Sequence, residues 1–121
     1  MEEGIISFET AKLAKEKGFQ EEELHYYFNE ELLQHPNRLY YNFNQDNPPL
    51  NQFSAPYQSF LQKWLREGHK IHITLQNKPF TFGFDYYIID LNTENCVGRG
   101  DSISYEEALE KGLLESLKLI E

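Results

Sequence analysis

Apolar residues recur at helical spacing in three stretches of the chain, and they alternate with polar residues in the stretch between the second and third. The first stretch, from Ser7, places Phe8, Ala11, Leu13 and Ala14 on helical positions and ends in Lys15 to Lys17 followed by Gly18. Gly18 suits the left-handed position after a helix, and Phe19 is placed to fold back on Leu13 and Ala14. In the second stretch Phe60, Leu61, Trp64 and Leu65 make an apolar stripe. Ser54 is expected as its N-cap, Pro56 in its first turn and Gly68 at its end. The third stretch opens with Ser104-Tyr105-Glu106-Glu107, a capping box, and Leu109, Leu113 and Leu117 then step by four, with Tyr105 and Ile120 extending the stripe.

Between the last two helices, Ile71, Ile73 and Leu75 alternate with His72 and Thr74, as a half-buried strand requires. Asn77-Lys78-Pro79 turns the chain, and an extended run is expected from Phe80 through Phe82 and Phe84 to Leu91. Asn92 to Asn95 turns it again into a short strand near Cys96 and Val97. Earlier in the chain the acids Glu21 to Glu23 read as solvated linker. Residues 24–28 and 38–43 are aromatic and β-favouring, and they predict an irregular hairpin around His35-Pro36-Asn37. Residues 44–53, rich in Asn, Gln and Pro, predict a loop. The fold class expected is α+β in one domain over residues 1–121: a small antiparallel sheet of about three to five strands against two or three helices. The C-terminal half is expected in the order helix, three strands, helix.

Composition sharpens this. The chain has 121 residues, 40% hydrophobic and 15% aromatic, which is enough apolar material for a core. Its 20 acids against 11 bases give a formal charge of −9, which argues against a nucleic-acid backbone or an anionic membrane as partner. Helix, three strands, helix is also the order of double-stranded-RNA-binding domains. The last helix speaks against that use, with Glu106, Glu107, Glu110, Glu115 and Glu121 against Lys111 and Lys118. Nothing at the N-terminus resembles a secretory leader, no stretch approaches the roughly 20 apolar residues of a membrane span, and the lone Cys96 has no disulfide partner in the chain. A cytoplasmic protein is expected.

No complete catalytic or metal constellation is legible. His69 and His72 lie three apart, a spacing that points to opposite faces of a strand, and Asp85 and Asp90 are likewise expected on opposite faces. Cys96 reads as a structural cysteine; an enzymatic reading needs it as nucleophile, with His69 or His72 as base. Gly98-Arg99-Gly100-Asp101-Ser102 contains the Arg-Gly-Asp tripeptide recognised by integrins, a coincidence in a chain with cytosolic character. It reads as a glycine-rich connection into the last helix, whose nearby acids oppose an anion site at Arg99. Each of the doublets Tyr26-Tyr27, Tyr40-Tyr41 and Tyr86-Tyr87 puts one ring on either face of a strand, so tyrosines are expected at a binding surface or under covering helices and loop. Trp64 reads as core.

Residues 7–19 (SFETAKLAKEKGF), 54–67 (SAPYQSFLQKWLRE) and 105–115 (YEEALEKGLLE), in this order, resemble a family of small uncharacterised proteins of Bacteroidetes genomes and their phages or prophages. Family members usually carry Thr where this chain has Tyr57, and their middle region varies. The resemblance implies an intracellular accessory protein of a mobile element and brings no catalytic residues. The function expected is therefore a non-catalytic protein-interaction module with a host or phage protein as partner, no cofactor and no metal. The alternative is capture of a small, nucleotide-like ligand, resting on the aromatics, the helix N-termini at Ser54 and Ser104, and Lys63, Arg66 and Arg99. Tyr27, Tyr41, Tyr87, Arg66 and Arg99 are the candidate binding residues. The oligomeric state is left open, a dimer included.

Overall fold

A computed structural model describes residues 4–35, 40–44, 51–79 and 81–120. The fold is α+β. Helix α1 spans Phe8–Glu16, strands β1 His25–Phe28, β2 Glu31–Gln34 and β3 Gln52–Ser54 follow, and helix α2 spans Gln58–His69. Strands β4 Ile71–Asn77, β5 Phe84–Asp90 and β6 Asn95–Ser102 then lead into helix α3, Tyr105–Lys118. Two three-stranded antiparallel sheets form where one was expected, with orders β2-β1-β3 and β4-β5-β6. The C-terminal half keeps the expected order of helix, three strands, helix.

α1 ends as its residues dictate. Gly18 takes φ 94°, its amide donates to Lys15 O and the Phe19 amide to Ala14 O, and the Phe19 ring is fully buried. At the start of α3, Ser104 Oγ accepts from the Glu107 amide at 3.2 Å. The reciprocal half of the capping box is replaced, because the Glu107 carboxylate accepts from Ser102 Oγ at 2.8 Å. α3 is the central element, packing on all three strands of the second sheet and on α1 and α2. Leu109, Leu113 and Leu117 are buried there with Leu61, Leu65, Ile73 and Ile88, each worth roughly 2 kcal/mol of apolar burial.

α2 departs from expectation at both ends. Ser54 belongs to β3, where its hydroxyl accepts from the Phe43 amide at 3.1 Å, so it is unavailable as a cap, and Pro56 precedes the helix. The N-cap is Tyr57, which offers the first turn no side-chain acceptor. Tyr57→Thr is accordingly expected to stabilise the protein by about 0.5–1 kcal/mol, read as a raised urea midpoint at unchanged slope. At the other end the helix runs through Gly68, and Lys70 takes the left-handed conformation, φ 57°.

The first sheet also differs. Asn29 and Glu30 both have positive φ, 51° and 71°, the signature of a two-residue type I′ hairpin, and this pairs β1 with Glu31–Gln34 rather than with residues 38–43. Of that expected partner, residues 38 and 39 lie outside the described residues, and Tyr41 makes a single antiparallel bridge to Glu23. In the expected loop 44–53, residues 45–50 lie outside the described set, while Gln52 and Phe53 form β3. Asn44 is fully buried: its amide nitrogen donates to Phe19 O and its oxygen accepts from the Ser54 amide, both at 2.8 Å.

One carboxylate ties the helices together. Glu110 accepts from the Ser7 amide and from Gln58 Nε2, both at 3.0 Å, and from the Thr10 hydroxyl. Glu110 thus holds the starts of α1 and α2 against α3.

Candidate functional site

The second sheet has two unlike faces. On the inner face Ile73 pairs with Ile88 and Leu75 with Tyr86, and α3 covers them. The strand period sends the intervening residues to the other side. There, three cross-strand rows form: His72, Ile89 and Cys96; Thr74, Tyr87 and Arg99; Gln76, Asp85 and Asp101. Thr74, Gln76, Cys96, Arg99 and Asp101 are exposed and the others half-buried, so this face is open to solvent.

β6 reaches the face because of its glycines. A Cβ on Gly100 would lie 2.5 Å from the Tyr86 hydroxyl oxygen and 2.6 Å from the nearest ring carbons, and one on Gly98 would lie 3.0 Å from Ile88 Cδ1. The inner-face side chains of β5 therefore lie over bare backbone of β6. Glycines that read as a loop are strand glycines. The Arg-Gly-Asp tripeptide is part of an eight-residue strand, and the connection into α3 shrinks to Ile103 and Ser104. The ladder shifts between Ile88 and Ile89, leaving Val97 as the extra residue of a bulge.

Lys78 donates to the Asp101 carboxylate, and that hydrogen bond holds the Asp101 carboxyl below its usual range and lifts the Lys78 ammonium above its own. Arg99 takes part in no ion pair among the described residues. It lines a shallow depression of about 380 Å³ with Asp85, Tyr87, Gly100 and Asp101.

The structure brings Tyr87 and Arg99 together as direct cross-strand partners and leaves the other candidates elsewhere. Tyr27 donates its hydroxyl to Ile6 O at 2.7 Å and packs edge-on to Phe8; burial first, then the charge of Glu110, raises its pKa above the usual value. Tyr41 is an exposed bridge residue beside Phe43. Arg66, on α2, lies 4.0 Å from Glu67. Trp64 is half-buried against Phe19, and with Phe60, Lys63, Glu21, Glu67 and Gly68 it lines a second open cleft of about 440 Å³.

His72 and Cys96 share a row but flank Ile89, two strand spacings apart, roughly 10 Å, beyond direct proton transfer. His69 stacks edge-on to Trp64. Asp85 lies on the open face, whereas Asp90 accepts from the Asn92 amide in the following turn. Among the described residues, no three His, Cys, Asp or Glu side chains gather as a metal site, and no helix is long and apolar enough to cross a membrane.

The acids Glu21 to Glu23 are not uniformly solvated. Glu21 and Glu22 are exposed as a linker would be, but Glu23 is 7% exposed, held by paired 2.9 Å backbone hydrogen bonds with Tyr41, and its Oε1 has no partner among the described residues. Burial, with a smaller push from Glu21, raises its carboxyl to about 7. The only sequence cue is the aromatic run that follows it. No protein-family model, curated protein or solved structure matches the chain.

Proposed function

We propose that this protein is a non-catalytic interaction module whose binding surface is the open face of the β4-β5-β6 sheet, centred on Thr74, Tyr87 and Arg99. The observation that carries this reading is the sheet's one-sided cover: α3 packs on the inner face, while a tyrosine and an arginine with no ion pair among the described residues stand side by side on the other. Tyrosine and arginine are among the side chains enriched at protein interfaces, and Arg99 offers a planar fork to a partner carboxylate. The partner is a host or phage protein inside the cell, and the accessory role in a mobile element rests on the sequence resemblance alone. Capture of a nucleotide-like ligand has less support, because both open depressions set their base beside acids: Lys63 beside Glu21 and Glu67, Arg99 beside Asp85 and Asp101.

The test uses a Thr74→Glu/Tyr87→Ala protein, which alters the face and leaves α3 and the free edge of the sheet untouched. Capture from Bacteroidetes host lysate is expected to retain a partner on the unaltered protein and to lose it at least tenfold on the variant. Equal capture by both proteins would remove the open face from consideration.

A further inference from the structure

The second sheet has two edges, and they are treated differently. At β4, α2 lies alongside, and Gln62 Nε2 donates to the Ile73 carbonyl at 2.8 Å. At β6 no strand of the described residues pairs with the far side. The Ser102 carbonyl is turned toward β5, where a Cβ on Gly83 would meet it at 2.6 Å. By alternation, the backbone groups of Arg99 and Asp101 face outward. Among the described residues the only side chain that guards them is Lys111, whose ammonium donates to the Asp101 carbonyl at 3.2 Å. Exposed apolar side chains flank this edge beside its charges: Val97 is 45% exposed, Leu119 46% and Ile103 79%. A long strand with an open ladder and apolar flanks is a template for another strand.

We propose that the occupant is a second copy of this chain, whose β6 adds antiparallel to the first about a two-fold axis at Gly100, making one six-stranded sheet. Charge selects this register. Centred on Gly100, pairing sets Arg99 of each copy opposite Asp101 of the other, so the two contacts repeat by symmetry. It also sets exposed Val97 opposite exposed Ile103. An axis at Arg99 would oppose two arginines, and one at Asp101 two carboxylates. Arg99 is free to take this partner because it has no ion pair within its own chain among the described residues. The Lys111 ammonium gives up the Asp101 carbonyl to the Arg99 amide of the second copy. Arg99 serves both surfaces, but the dimer needs neither Thr74 nor Tyr87, so the Thr74→Glu/Tyr87→Ala protein tests the open face with Arg99 and Asp101 in place. Pairing at β6 makes the two open faces continuous whether or not that face binds a partner.

Sedimentation equilibrium of the full chain is expected to show a reversible dimer with Kd on the order of 10–100 μM, as befits a small interface. Arg99→Asp and Asp101→Arg, each at an exposed position, are expected to weaken the dimer at least tenfold when studied alone. An equimolar mixture of the two is expected to restore association, because each acid then meets an arginine. Val97→Lys, which leaves the Lys78–Asp101 pair intact, is expected to abolish the dimer with the circular dichroism spectrum unchanged. Monomer at every concentration up to about 1 mM would overturn the proposal. A dimer indifferent to both charge reversals, or single variants whose mixture stays monomeric, would overturn it equally.

Discussion

Gly100→Val is expected to destabilise the protein by about 3 kcal/mol, enough to consume a large part of the stability of a domain this size. The expectation follows from the Tyr86 ring, which is held between two glycines. A Cβ on Gly100 would lie 2.6 Å from two atoms of that ring, and one on Gly112 of α3 would lie 3.3 Å from Tyr86 Cδ1 and 3.0 Å from Ile73 Cγ2. The ring cannot yield toward α3 without opening the contact of helix with sheet, so a β-branched side chain at residue 100 separates β6 from β5 or α3 from both. Urea unfolding followed by circular dichroism measures the loss. A change under 1 kcal/mol would show that Tyr86 rotates away freely and that the glycine has no packing role.

The second large effect is a stability that falls as pH rises. Glu23 has an ordinary carboxyl pKa in the unfolded chain and one of about 7 in the folded protein, so between these values the folded state binds the extra proton. Protonation therefore favours folding: the contribution is fully present below the unfolded value, declines as pH climbs toward 7, and is gone above it. A shift of this size bounds the loss at about 3 kcal/mol, and relaxation of the protein and water around the ionised carboxylate brings the expectation nearer 2 kcal/mol. Glu23→Gln removes the titrating group. The variant and the unaltered protein are expected to unfold at similar urea concentrations at pH 4.5, and the variant at a clearly higher one at pH 8. Parallel curves across that range would mean that the Glu23 carboxylate is solvated.

Where structure follows from chemistry within one turn of chain, the sequence is readable. Gly18 and Phe19 end α1 and Ser104 opens α3 because each acts on backbone three to five residues away. Errors fall where a residue of the right type is claimed by something distant. Ser54 is a competent cap by type, yet Phe43 and Asn44 draw it into β3. Gly98 and Gly100 are turn residues by type, yet Ile88 and Tyr86 of the neighbouring strand need the room a side chain would take. The hairpin at Asn29-Glu30 carries no glycine, and a glutamate in a left-handed conformation announces nothing. Likewise Phe82, expected to continue an alternating strand, is 92% exposed, because β5 starts only at Phe84. The candidate site has the same character. Tyr87 and Arg99 were each visible as aromatic and base, but their adjacency depends on strand register, which is set by the packing of α3 on the opposite face.

The Glu110 tie bears on the order of events as the chain leaves the ribosome. The Thr10 hydroxyl and the Ser7 amide find their acceptor 100 and 103 residues downstream. When α1 emerges, the helix that completes its first turn has not been synthesised, and a nine-residue helix alone in water is marginal. α1 thus waits for α3, and a nascent chain arrested before α3 leaves α1, α2 and the second sheet without the helix that packs on all of them.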